Sequence, residues 1–250
     1  MDTINTIDDV IEALQNIIDE SVKNKSTSGY FAALYQKVTI AVKKGITDGV
    51  FEDGPRMEKL DVIFAKRYIS AYYNFQQQKP ITTSWQKAFD ITDDYWPIVL
   101  QHLLIGMNAH INFDLGVAAA EVSIGQPIED LKKDFDTINK VLSLLVMDVE
   151  NNLSEIWPFL KKILKCTKKV DDFLIDFSME IARNGAWNFA VQLSNTIDVK
   201  KEETINQRDE EVAEIASLIT NPGFIASTVF MIIRLGERGT IPQKILDLTN

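Results

Sequence analysis

In IDDVIEALQNIIDESV, residues 7–22, the apolar side chains Val10, Ile11, Leu14, Ile17, Ile18 and Val22 return at intervals of three and four. That spacing marks one buried face of an α-helix. It recurs down the chain, while alternation of apolar and polar residues is absent over any useful length. A chain patterned this way builds its core by laying helix on helix. The expected fold is all-α: one domain spanning 1–250, a bundle of about eight helices around a buried central helix at about 95–124.

The breaks between helices follow from turn and capping residues. Ser26 or Ser28 caps a helix through 30–46, and Pro55 suits the first turn of another at 56–75. Thr82 or Thr83 starts a short helix ending near 89. Asp93 or Asp94 is expected to cap the central helix, with Pro97 in its first turn and Gly125 and Pro127 at its end. Amphipathic segments follow at 128–156, 157–165 and 168–195, then two shorter helices at 207–219 and 221–239. The charge-rich DVKKEETINQRDEE, 198–211, reads as a surface loop.

Charge and cysteine usage narrow the function classes. With 26 basic against 36 acidic residues the formal charge is -10, which opposes binding to nucleic acid or to an anionic membrane. Cys166 is the single cysteine, so no intramolecular disulfide framework or cysteine-based zinc cluster is available, as suits a reducing cytosol. Beside the basic LKCTKKV it reads as a spectator thiol. The opening MDTINTIDDV has no basic region followed by an apolar core, so no signal peptide is visible. The longest apolar stretch, about 98–120, is interrupted by His102, His110 and Asp114, which makes a membrane span costly. These features predict a soluble cytoplasmic protein with no nucleic-acid or membrane partner, open to forming a homo-oligomer.

That stretch, HLLIGMNAHINFDLGVAAA at 102–120, holds both histidines of the chain. On an ideal helix His110, Asp114 and Glu121 fall within roughly 40° of one another, and His102 lies about 80° from His110. Asn108 and Asn112 lie on a different face, about 160° away. Burying such groups unpaired costs roughly 1–3 kcal/mol each, so something must satisfy them. Three arrangements are open. In a structural network, Asp114 accepts from His110 or from an arginine on a neighbouring helix, and the asparagines brace backbone groups at a helix crossing. In a metal site, His110 and Asp114 hold a divalent transition ion (zinc, iron or manganese), completed by His102, Asp61 or Glu180. In a metal-free pocket, His110 is a general base oriented by Asp114. Arg183 then neutralises Asp114 or grips an anionic substrate group.

Two further segments carry the candidate partners. Leu60, Ile63, Phe64 and Tyr68 form an inward stripe flanked by Asp61 and Arg67, either of which could reach the central helix. Asp176, Glu180, Arg183 and Trp187 recur at spacings of four, three and four, either as surface ion pairs or as a pocket edge with Trp187 for a wall.

The segments GYFAALYQKVTIAV, RMEKLDVIFAKRYISAY, SWQKAF, HLLIGMNAHINFDLG and RNGAW together resemble an uncharacterised, mainly bacterial family, a domain of unknown function with a GMNAHINxDL core. The resemblance runs through most of the chain, implies one full-length domain and points again at residues 102–114. It brings no reaction, cofactor or catalytic residue with it. The motifs of known chemistries are missing: neither histidine stands in the Glu-x-x-His pairing of di-iron bundles, and no HExxH, Gly-x-Ser-x-Gly, P-loop or GxGxxG occurs. The sequence therefore points to a metal-dependent enzyme hydrolysing or oxidising a small molecule, with His110, Asp114 and Arg183 as candidate catalytic residues. The alternative is a non-catalytic ligand-binding or interaction protein built around a polar network.

Overall fold

The computed structural model of the protein describes residues 4–138, Ile156 and 179–249, the side chains of Met179, Glu180 and Ile225 excepted. Among these residues the fold is all-α, with no strand. The helices are α1 (Ile7–Asn24), α2 (Gly29–Thr47), α3 (Gly54–Gln76), α4 (Thr83–Asp90), α5 (Val99–Ala109), α6 (Leu115–Val122), α7 (Met179–Asn195), α8 (Asp198–Thr220), α9 (Phe224–Gly236) and α10 (Ile241–Thr249). A π-helical segment, His110–Asp114, joins α5 to α6 without a break, and a 3₁₀ turn, Ile128–Leu131, follows α6. The expected segment at 157–165, the first part of that at 168–195 (to 178) and most of that at 128–156 (139–155), with Cys166 and Asp176, lie outside the described residues.

Local chemistry explains most of the boundaries. Thr6 and Asp9 form a reciprocal capping box at the start of α1, and Lys25 ends it in the left-handed conformation at φ 55°. Val10, Leu14, Ile17 and Ile18 are all buried in the core, as the stripe requires. Asp53 caps α3 through the Arg56 N–H (3.0 Å), and Pro55 stands in the first turn as expected.

The starts of α3, α4 and the central helix also depend on residues far away in sequence. Asp134 accepts from the N–H groups of Glu52 and Asp53 at 2.7 and 2.8 Å. Asp209, on α8, accepts from Thr83 and Ser84 at 2.6 and 2.9 Å, so Thr82 precedes α4 with no side-chain capping bond. The central helix begins at Val99, later than Asp93 or Asp94 would place it. Its first N–H groups are taken by Gln101, which bonds Ile98 N at 3.2 Å, and by Glu237, which bonds Val99 N at 2.8 Å. Carboxylates near a helix N-terminus satisfy orphan donors and oppose the helix dipole, and a tertiary one serves as well as a local one.

The α5–π–α6 rod lies at the centre. Its α5 half meets α2, α4 and α8, and its α6 half meets α3 and α7. Val99–Val122 is long and apolar enough to cross a membrane, yet 89% of its apolar 18-residue window is buried inside the protein, so its apolar surface is covered by neighbouring helices. Around the α5 half, rings from α2, α3 and α4 pack together with α1 and the C-terminal helices. Around the α6 half, Met57, Leu60, Leu115, Leu131 and Phe135 form a second core.

Two expectations are corrected. Residues 198–211 are the first part of α8, not a loop. Their charges form pairs along the helix, Lys201 with Asp198 and Arg208 with Glu211, while Val212, Ala213, Ala216 and Ile219 further along bury the stripe that holds it in place. Glu121 does not share the buried face of Asp114 but is exposed. The π turn between them accommodates an extra residue, which rotates everything beyond it by about 100° relative to an unbroken α-helix.

Gly116 sits where α6 crosses α7. A Cβ there would lie 2.6 Å from Phe189 Cδ1 and 2.9 Å from the Ala186 carbonyl oxygen. Since a backbone atom cannot yield as a flexible side chain does, Gly116→Ala should destabilise the protein by about 1–3 kcal/mol. Equilibrium urea denaturation reads this directly. An unchanged midpoint would mean that the two helices part freely.

Candidate functional site

The π segment HINFD is closed by the Leu115 N–H donating to the His110 carbonyl, five residues back. Such single π turns are rare and are concentrated at functional sites. Widening the helix changes which side chains align, and it leaves the backbone open to partners. Arg208 Nε of α8 donates to the Asn112 carbonyl at 3.1 Å. Asn108 Nδ2 donates to the Val212 carbonyl at 2.8 Å, and Asn112 Nδ2 donates to Asn108 Oδ1 at 2.9 Å. On this side the asparagines brace backbone at a helix crossing.

Asp114 holds a second cluster. Its carboxylate is 1% exposed and accepts from three helices' worth of donors. Arg67 Nε of α3 lies 2.6 Å from Oδ1, Trp85 Nε1 of α4 lies 2.8 Å from Oδ2, and His110 Nδ1 lies 3.2 Å from Oδ2. A carboxylate facing Nδ1 selects the tautomer that carries its proton there, which leaves Nε2 as an acceptor. Nε2 is buried and makes no hydrogen bond.

The imidazole sits in an aromatic cage. Phe64 stacks on it face to face at 3.5 Å between centroids, Tyr35 meets it edge-on at 4.4 Å, and Phe31, Trp85 and Tyr68 pack at 5.7, 5.9 and 6.0 Å. Burial in this cage holds the His110 pKa below the ordinary histidine value, against the pull of Asp114 in the other direction. The ring is therefore neutral at pH 7. The hydroxyl of Tyr68 and Oδ2 of Asp61 are likewise buried without a hydrogen-bond partner. Burial, with Glu58 adding to it, pushes the Asp61 carboxyl up to about 7. Burial, then Asp61 and Asp114, raises the Tyr35 phenol well above its usual range.

The remaining candidates stand elsewhere. His102 lies eight residues before His110, about 12 Å along the rod, edge-on to Tyr30 at 5.6 Å. Arg183 does not meet Asp114. Its Nη2 donates to the Phe135 carbonyl and its guanidinium stacks on the Phe135 ring at 5.0 Å, while burial lowers its pKa to about 10. Arg67 takes the role expected of it, because α3 and not α7 brings an arginine alongside the carboxylate. Trp187 packs on Phe135 at 5.1 Å under Lys132, away from the histidine cage. The Glu180 side chain lies outside the described residues.

The described residues do not fit a divalent metal. Among them no three His, Cys, Asp or Glu side chains gather around one point. Both Asp114 oxygens already accept from N–H groups, and His110 and Asp114 face each other instead of a shared ion. Trp85, within SWQKAF, is the participant not named as a candidate from the sequence. The available signal was its indole N–H, which needs an acceptor once buried.

Asp114→Ala would strand Arg67, Trp85 and His110 together, so a loss of about 3–5 kcal/mol in urea denaturation is expected, with Asp114→Asn losing less. His102 gives a pH prediction. Burial, with Arg234 and Lys244 adding to it, pushes its pKa down to about 3 from 6.5. Below pH 6.5 the unfolded chain binds a proton that the native state refuses, so stability falls as pH drops from 6.5 towards 3. His102→Gln should remove about 2–3 kcal/mol of that loss at pH 4.5, seen as a flatter dependence of the urea midpoint on pH.

No curated protein matches the chain, and no solved structure does. A model of the family of unknown function DUF5995 matches residues 7–222, most of the chain and all of the central rod. The protein belongs to that family.

Proposed function

We propose that the protein acts on a small molecule, with His110 as a metal-free general base oriented by Asp114 and with Arg67 and Trp85 holding that carboxylate in place. One observation carries this reading: the Nε2 of an imidazole whose tautomer is set by a carboxylate is buried and unpartnered. A network built only for stability satisfies its members, because each orphan costs about 1–3 kcal/mol. Here the unsatisfied His110 Nε2 and Tyr68 hydroxyl belong to rings in mutual contact. A neutral base beside an orienting carboxylate takes a proton from a hydroxyl or a water. Of hydrolysis and oxidation, hydrolysis fits better, since it needs only water besides the substrate. The acidic composition, with its single cysteine, supports a cytoplasmic protein that is one domain, without nucleic-acid or membrane partners.

A second reading, a non-catalytic binding protein, draws on the enclosure of His110, whose side chain is 3% exposed, and on the satisfied asparagine side of the rod. The two are separated by assaying p-nitrophenyl acetate through butyrate with wild type and His110→Gln. Loss of at least about 100-fold in rate with little change in melting temperature supports the base. The wild-type rate should lose its base only at a pH lower than that of an ordinary histidine, because burial lowers the His110 pKa. Equal rates in both proteins, with a large fall in melting temperature for the variant, would make the cluster scaffolding.

A further inference from the structure

A surface cavity of about 260 Å³ lies beside the α1–α2 turn, walled by Tyr30, Tyr95, Pro97 and Arg234. Behind it is a cleft of about 20 Å³. Thr27 and Thr92 line both spaces, and Thr27 Oγ1 donates to the Thr92 carbonyl at 2.8 Å across their junction. The residues lining the cleft include His102, Gly106, Phe31, Tyr68 and Trp85. The last three are rings that also pack on His110. The only element between cleft and imidazole that this geometry names is thus the aromatic cage itself.

Phe31 both lines the cleft and packs on His110. Its ring lies directly against Gly106, where a Cβ would come within 2.6 Å of Cδ2. With no side chain on the rod at that point, the ring rests on backbone and has a smooth surface to move across. A space of about 20 Å³ holds roughly one water, so nothing larger passes while Phe31 stays in place.

We propose that this cavity and cleft form the entry and binding subsite for a slender, uncharged molecule that carries a hydrogen-bond donor such as O–H at its leading end. Displacement of Phe31 admits that end to His110 Nε2. The class follows from the lining. The cleft is bounded by rings, Ala88, Gly106, Ser28 and the two threonines, with no charged side chain, so an ion there would be stripped of water without a counter-charge. Nε2 is an acceptor, so the group it meets must donate. The outer cavity is polar, with Lys25, Asp93, Asp94 and an Arg234 already bonded to Glu237 at 2.8 Å, which suits a trailing polar end left near water. The donor requirement rests on the proposed role of His110; the route does not.

The test is acylation of His110 by diethyl pyrocarbonate in the full chain at pH 7, read by peptide mass spectrometry. Wild type should react slowly at His110. Phe31→Ala should speed that reaction at least about tenfold while circular dichroism stays native, and adding Thr92→Trp should bring it back towards the wild-type rate. In Phe31→Ala, phenol should protect His110 and toluene should not. A folded Phe31→Ala with an unchanged His110 rate overturns the route, as does a gain that Thr92→Trp fails to reverse. Equal protection by phenol and toluene overturns the donor requirement. Should Phe31→Ala not fold, Phe31→Leu and Thr92→Trp in the wild-type background pose the same question: a His110 rate that neither raises nor lowers overturns the route. Acylation reports access and ester turnover reports the base, so a route confirmed without turnover leaves the subsite standing and removes only the enzymatic reading.

Discussion

The carboxylate of Asp114 is the group around which the bundle is arranged. A charge with 1% exposure is tolerable only when donors replace its lost water, and each donor here comes from a different place. Arg67 brings α3, Trp85 brings α4, and His110 belongs to the rod itself. Hydrogen bonds to a charged acceptor are short-ranged and directional, so the three elements cannot slide or rotate independently without stranding the charge. Hydrophobic burial brings these helices together, and the carboxylate selects the register in which they meet.

The π turn lets one rod serve two neighbourhoods. An extra residue between His110 and Asp114's successors turns α6 so that its small residues, Gly116, Ala118 and Ala119, face closely packed helices. The same turn leaves the Asn112 carbonyl for Arg208 and so ties the rod to α8. The rod's polar groups divide accordingly. On the asparagine side the amide groups named above end on backbone or on each other. On the histidine side, acceptor and hydroxyl positions stay open inside an aromatic shell. Sites kept short of full satisfaction are where function is expected to reside, and the cleft behind Thr27 and Thr92 leads towards that side.

Much of this was legible from one-dimensional pattern. The stripe of α1, Pro55 in the first turn of α3, and the pairing of His110 with Asp114 at a spacing of four all depend on residues within a turn or two of each other. Arg67 was within view because it flanks an inward stripe. Trp85 and the choice of Arg67 over Arg183 were not, since they depend on which helices lie beside the π turn. The carboxylate caps from Asp134, Asp209 and Glu237 were hidden for the same reason: each partner lies between about 80 and 140 residues away.

Sequence by itself determined the all-helical architecture, the buried central rod and its concentration of polar groups, because helical periodicity and apolar content are local properties of the chain. Tertiary structure alone decided that Asp114 is answered by Arg67 and Trp85, that His102 and Arg183 stand apart from His110, and that Glu121 faces water. Those outcomes depend on one added residue in a helical turn and on side chains that meet only after the helices pack. Neither a π turn nor a partner many residues away leaves a periodic signal to read.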